Sequence, residues 1–356
     1  MSPLLRIASW LYGWFVGLRN LLYDEHLLHA FEPVLPTICV GNLAVGGTGK
    51  TPHVEYVATF LQGEGYQVAV LSRGYKRRTV GFLEADAQST AATVGDEALW
   101  LKRKHPELIV AVCEDRLIGI ARLKKRHPEL QLVILDDAFQ HRRLKAGFNI
   151  LLTQADRLYV EDHLLPLGRL REQAAGSFRA NMVVVTKCPS AIQPIEQRLI
   201  DTKLALPPSK PLVFTRMRYL TPVPVFEKGG KEKGESSIDL GTGKKVLLLT
   251  GIAQPHYLVD YVRSLGAEVV PLQFADHHVF SESDILDVER RFRSHQCDLI
   301  LTTEKDAVRL RECPYIPKQL IPFFYAQPIQ VEFLSHDEQT FNNTILDYVR
   351  KSTSNR

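Results

Sequence analysis

Cysteine is scarce in this chain: there are five in 356 residues, and Cys39, Cys113, Cys188, Cys297 and Cys313 form no C-x-x-C pair. That excludes a zinc ribbon or a disulfide-stapled scaffold and suits a reduced, cytosolic protein. A block of like charge is also missing. The formal net charge of +4 comes from 44 basic and 40 acidic side chains dispersed along the sequence, so nothing singles out nucleic acid as a partner. No apolar run approaches the ~20 residues needed to cross a bilayer; the nearest, Ile7 to Leu18, is bracketed by Arg6 and Arg19. Disorder is excluded by 45% hydrophobic against 24% charged residues, and the length favours two domains over one.

The most informative segment that is present follows the strand-like Thr37-Ile38-Cys39-Val40. It runs Ala44-Val45-Gly46-Gly47-Thr48-Gly49-Lys50-Thr51. Its glycines let backbone N–H groups crowd round phosphates, Lys50 can reach the β and γ oxygens, and the Thr51 hydroxyl can ligate Mg²⁺. ATP with Mg²⁺ is the expected ligand. Ala44 stands where the G-x-x-x-x-G-K-[ST] pattern has its first glycine. Pro52 suits a first helical turn, and Val54, Val57, Ala58 and Leu61 give the following helix an apolar face.

Before this loop, Ser2, Arg6, Ser9, Gly13, Gly17, Asn20 and Asp24 draw one stripe down a helix, leaving Trp10, Trp14 and Phe15 on the other faces. A helix lying in the membrane interface is expected over residues 1–30. A weak basic n-region and the lack of an A-x-A-like site argue against a secretion signal.

Strand-like runs at Thr37–Val40, Gln67–Leu71, Leu108–Val112, Leu132–Leu135, Asn149–Leu152 and Met182–Thr186 alternate with helical stretches. This predicts βαβ units and a mainly parallel sheet. Arg103-Lys104-His105-Pro106-Glu107-Leu108 is echoed by Lys125-Arg126-His127-Pro128-Glu129-Leu130; both histidines fall where strands begin, away from the ligand edge, and read as structural. Phe226 to Lys245 has the composition of an exposed connector. A second α/β unit follows, with strands at Lys245–Leu249, Glu268–Leu272 and Asp298–Leu301 and a helix at Ser283–Phe292. Leu212–Tyr219 and Phe323–Phe333 are expected to pair as a neck, and Gln339–Lys351 to form a closing helix. The expected division is a membrane helix over 1–30, a P-loop NTPase core over 31–211, a smaller α/β domain over 212–336 and a helical tail over 337–356.

Leu132-Val133-Ile134-Leu135-Asp136-Asp137 is an apolar strand ending in two acids, as a Mg²⁺ partner of a phosphate loop should be. Ala138-Phe139-Gln140-His141-Arg142-Arg143 follows at the same edge. Arg73, just after the Gln67–Leu71 strand, is placed to clamp a phosphate. Asp96, in Val94-Gly95-Asp96-Glu97, opens a helix, where an acid ordinarily does no more than cap it or meet its dipole.

Taken with Val40-Gly41-Asn42-Leu43, Ser72-Arg73-Gly74-Tyr75, Leu165-Pro166-Leu167-Gly168-Arg169-Leu170-Arg171-Glu172, Phe274-Ala275-Asp276-His277-His278 and Thr303-Glu304-Lys305-Asp306-Ala307, these motifs resemble the tetraacyldisaccharide 4′-kinases of lipid A biosynthesis. The resemblance runs from the aromatic N-terminal helix to about Leu310. It implies transfer of the ATP γ-phosphoryl group to the 4′-hydroxyl of a tetraacylated glucosamine disaccharide 1-phosphate, at the cytoplasmic face of the inner membrane. Lys50 and Thr51 then serve the phosphates and Mg²⁺, and Asp137, with or without Asp136, the metal. The resemblance also turns Asp96 into the candidate base, paired with the histidine of the Asp-His motif, here His277, with His278 as the alternative partner. Arg73, Arg116, Gln140, His141, Arg171 and Glu172 become candidates for phosphate or headgroup contacts. Two departures stand out: Ala138 where many members have glycine, and Arg169 where proline is common. The rival reading from another class is a nucleotide-switched membrane scaffold; it has no use for a histidine-bearing second domain.

Overall fold

The computed structural model describes residues 3–226, 238 and 240–354. Ser2 and most of the expected connector, residues 227–237 and 239, lie outside the described residues. The chain opens with helix α1 (Pro3–Asp24), then strand β1 (Thr37–Asn42), helix α2 (Lys50–Gly63) and strands β2 (Val68–Ser72) and β3 (Leu83–Glu84). Helices α3 (Ala91–Val94) and α4 (Asp96–Lys104) precede β4 (Ile109–Val112), α5 (Arg116–Arg126), β5 (Leu132–Asp136), β6 (Phe148–Gln154), β7 (Met182–Thr186), α6 (Pro194–Leu204) and β8 (Leu212–Tyr219). Strands β9 (Val223–Pro224) and β10 (Lys245–Thr250), helix α7 (His256–Ser264), β11 (Glu268–Gln273), α8 (Glu282–Ser294), β12 (Leu299–Thr303), α9 (Glu304–Arg311) and β13 (Phe324–Gln327) build the second lobe. Strand β14 (Ile329–Phe333) and helix α10 (Asp337–Ser354) end the chain.

The first sheet has nine strands in the order β14-β8-β7-β6-β1-β5-β2-β4-β3, parallel except at its two edges. Its central strands are apolar on both faces because helices cover both, and a fully buried strand has no side to leave polar. One apolar cluster holds Val54, Val57 and Leu61 of α2; the other holds Ile120 and Leu123 of α5. The strand order departs in opposite directions on either side of β1, toward β5 on one and β6 on the other. That reversal is where an open α/β sheet leaves a crevice for ligand, and the loop after β1 is the glycine-rich one.

The second sheet, β11-β10-β12-β13-β9, is parallel apart from β9. The expected boundary at 212 coincides with the start of β8, which pairs in two directions. Residues 212–214 of β8 hydrogen-bond in parallel to β7, and residues 215–219 pair antiparallel with β14 as a two-stranded ribbon. The segment Phe323–Phe333 is split at Pro328, with β13 in one sheet and β14 in the other. Helix α10 packs Phe341, Ile345, Leu346 and Val349 into the first lobe's core. The core lobe is therefore discontinuous in sequence, and the second lobe is inserted between β8 and β14.

The polar stripe of α1 faces inward. Ser9 Oγ donates to Leu164 O at 2.9 Å, Tyr12 Oη to Arg171 O at 2.8 Å and Asn20 Nδ2 to Glu172 Oε2 at 2.9 Å. A Cβ on Gly13 would lie 2.6 Å from Leu164 Cδ1, so a larger residue there would have to displace the Leu164 side chain. Trp10, Trp14 and Phe15 are left exposed at 69%, 55% and 64%. Among the described residues no helix is long and apolar enough to cross a membrane.

Candidate active site

Between β1 and α2 the chain turns through Gly46 at φ +100° and Gly49 at φ +87°, values that side chains resist. At Gly49 an added Cβ would also sit 2.7 Å from Met217 Cε. Ala44 needs no such freedom: it forms an antiparallel bridge with Leu170, and Val45 N donates to Arg169 O at 2.8 Å. The missing first glycine is thus accommodated by extended pairing with the 169–171 loop. Asn42, at the end of β1, braces the loop by donating to Thr48 Oγ1 at 2.7 Å.

Lys50 Nζ lies 3.5 Å from Asn42 Oδ1 and 3.8 Å from Asp137 Oδ2. Asp137 also receives Arg171 through both oxygens, at 2.7 and 3.0 Å. Burial opposes charge at Asp137, but Lys50 and Arg171 hold its carboxyl below the ordinary value. Asp136 behaves oppositely. Burial, then the charges of Glu97 and Asp137, push its pKa up to about 7, and its Oδ1 is buried with no hydrogen-bond partner among the described residues. An orphaned carboxylate oxygen beside a phosphate loop is what a cation would relieve. Among the described residues no three His, Cys, Asp or Glu side chains cluster as a metal cage; Mg²⁺ needs none, since it binds through one or two carboxylates plus phosphate and water. Asp136, Asp137 and Thr51 therefore fit it. The positive φ of this turn falls on Asp137, at +51°, and not on Ala138, which explains why glycine is dispensable there.

The second lobe completes the site. Asp96 begins α4 and is 5% exposed. Its Oδ2 accepts from His277 Nδ1 at 2.7 Å and from Arg309 NH1 at 2.8 Å. His277 Nε2 is 3.1 Å from Lys305 Nζ, which also donates to Glu97 at 3.1 Å. An ammonium can only donate, so this network makes His277 Nε2 the acceptor and Nδ1–H the donor to Asp96. His278 is engaged elsewhere, with Asp284 at 2.8 Å. Although burial opposes ionisation, His277, Lys305 and Arg309 hold the Asp96 carboxyl below its ordinary value.

Phosphate loop, Asp136, Asp137, Asp96 and His277 all line one cavity of about 1500 Å³. That exceeds the roughly 300–1,000 Å³ typical of a single small-molecule site and leaves room for a second substrate. Arg73, Arg116, Gln140, His141 and Arg171 line it as well. His141 Nε2 is buried without a partner among the described residues, and burial followed by the Arg116 charge lowers its pKa. Glu172 differs from expectation: it is fully buried and accepts from Arg179, Gln140 and Asn20 at 2.8–2.9 Å, bracing α1 against the loop instead of facing ligand. Lys305 and Arg309 carried no individual role in the sequence reading. Arg309 has no local signature, because its partner Asp96 is over two hundred residues away in the chain.

A phosphate loop, acids at the end of the neighbouring strand, and a second lobe that meets the first over a two-substrate cavity define a P-loop phosphotransferase. The profile of the family described as Tetraacyldisaccharide-1-P 4'-kinase matches residues 1–350. The chain belongs to the tetraacyldisaccharide 4′-kinase family, and its activity is that of an ATP-dependent kinase of lipid A biosynthesis. The Tetraacyldisaccharide 4'-kinase of Bacteroides fragilis is 46% identical over 352 residues, covering 98% of this chain and 93% of that one. The protein of the same name from Flavobacterium johnsoniae is 41% identical, covering 96% and 95%. A crystal structure of LpxK from Aquifex aeolicus in complex with ATP superposes with a TM-score of 0.73 at 28% identity, covering 97% of this chain and 98% of that one.

Proposed function

We propose that this kinase transfers the γ-phosphoryl group of ATP to the 4′-hydroxyl of tetraacyldisaccharide 1-phosphate, giving the 1,4′-bisphosphate lipid IVA, at the cytoplasmic face of the bacterial inner membrane. The observation that carries this reading is the 2.7 Å contact between Asp96 and His277, made across the two lobes beside the phosphate loop. The loop amides and Lys50 bind the triphosphate; on ATP binding Lys50 exchanges Asn42 and Asp137 for phosphate oxygens. Asp96, oriented by His277, accepts the hydroxyl proton as the sugar oxygen attacks the γ-phosphorus and ADP leaves. Asp136, Asp137 and Thr51 would hold Mg²⁺, which would supply neutralisation of phosphate charge. Arg73, Arg116, His141 and Arg171 supply donors for the phosphates of nucleotide and lipid. Closure of the lobes over bound substrates would exclude water, so that the sugar hydroxyl is the nucleophile.

Membrane contact is proposed through the exposed aromatic face of α1, with no nucleic acid involved. Tyr12 of the same helix bonds Arg171, and Arg19 lines the cavity. A lipid headgroup drawn from the bilayer along α1 therefore arrives at the catalytic cleft. Asp96→Ala is expected to keep ATP affinity while transfer falls by ~10²–10⁴-fold. Transfer at the wild-type rate in that variant would remove Asp96 from the mechanism.

A further inference from the structure

Resting on that reading, we infer that Arg309 is a positioning residue of the second lobe that holds Asp96 by its Oδ2, so that the base is fixed only while the two lobes are in contact. The guanidinium is anchored on its own side. Its NH2 donates to Asp306 and to Gly251 O at 3.1 Å, and Asp306 is in turn held by Gly251 N at 3.0 Å and Thr303 Oγ1 at 2.7 Å. Arg309 is 7% exposed and Asp306 fully buried, so the arm is rigid before it reaches across. NH1 alone crosses to the first lobe, at 2.8 Å. Both inter-lobe donors, Arg309 NH1 and His277 Nδ1, converge on the same oxygen of Asp96. That leaves Oδ1 to take the sugar proton while Oδ2 is held by two donors.

The remaining charged groups around Asp96 are Lys305, which shares α9 with Arg309, Glu97, which follows it on α4 and pairs with Lys305 at 3.1 Å, and Asp276, which lies 3.6 Å from Lys305 Nζ and 3.7 Å from His277 Nε2. Burial alone would lower the pKa of Lys305, but Glu97, Asp96 and Asp276 raise it, and its ammonium is directed at Glu97 and His277 Nε2, both at 3.1 Å, and not at the Asp96 oxygen that Arg309 holds. Separation of the lobes would remove His277, Lys305 and Arg309 from Asp96 together. The base is thereby assembled only while the two lobes are in contact.

The test is the pH dependence of kcat for full-length protein in mixed micelles, comparing wild type with Arg309→Gln and Arg309→Lys. Gln keeps an N–H donor and drops the charge. Loss of a cation raises the pKa of Asp96, and the base must be ionised, so the acid limb of kcat moves to higher pH. kcat falls about tenfold or more while the KM for ATP stays within about twofold. Lys keeps the charge with a poorer fork, so its acid limb returns toward wild type while kcat recovers only in part. Wild-type kcat and acid limb in folded Arg309→Gln would overturn the inference; should that variant fail to fold, full wild-type kcat in Arg309→Lys would do so. The wild-type protein in the same assay separates the two claims: transfer there, with unchanged variants, removes Arg309 alone.

Discussion

At Asp96 a buried carboxylate stays ionised because three cationic or donor groups from another lobe surround it. The same residue shows how a local rule misleads. An acid at the first position of a helix is ordinarily explained by the dipole, and nothing within ten residues of Asp96 says otherwise; its partners are distant in sequence and enter through the tertiary fold. Adjacent histidines pose the same problem, since composition does not distinguish His277 from His278. The left-handed backbone of His277, at φ +60°, turns its ring toward Asp96 while His278 faces Asp284. The two should separate cleanly in kinetics. His277→Ala is expected to lower kcat by roughly 10- to 100-fold with little change in ATP binding, and His278→Ala to stay within about twofold of wild type. Equal losses in both variants would point to a purely structural role for the pair.

At the scale of elements, α1 and the phosphate loop were legible because each is written in a short stretch. The stripe of small and polar residues predicts one face of a helix, and that face proves to be the inner one, from Ser9 to Asn20. The glycine-rich loop declares its ligand through residue types alone, and Ala44 tested only how strictly the pattern must hold. Glu172 was harder: its motif marks the right loop, but burial decides that it braces α1 and does not meet ligand. Because the aromatic face is free of packing, replacing Trp10, Trp14 and Phe15 by serine should weaken binding to anionic vesicles by an order of magnitude or more while leaving the thermal midpoint within about 2 °C. A large drop in stability with unaltered vesicle binding would mean that this face packs on protein.

The whole molecule is where sequence reading reaches its limit. Alternating apolar runs identify strands, yet they do not say which sheet an edge strand joins; β8 therefore read as the start of the second domain although its first half hydrogen-bonds to β7. Pro328 lies between β13 and β14, at the point where the chain leaves one sheet for the other. The insertion of one lobe between β8 and β14 brings His277, Lys305 and Arg309 over Asp96, so catalysis is expected to require both lobes of the intact chain. The most direct test is transfer of labelled γ-phosphate from ATP to tetraacyldisaccharide 1-phosphate in mixed micelles, with Lys50→Ala alongside. The account predicts labelled 1,4′-bisphosphate with the intact protein and a loss of roughly 10²-fold or more in the variant. ATP binding without any transfer by the intact protein would contradict it.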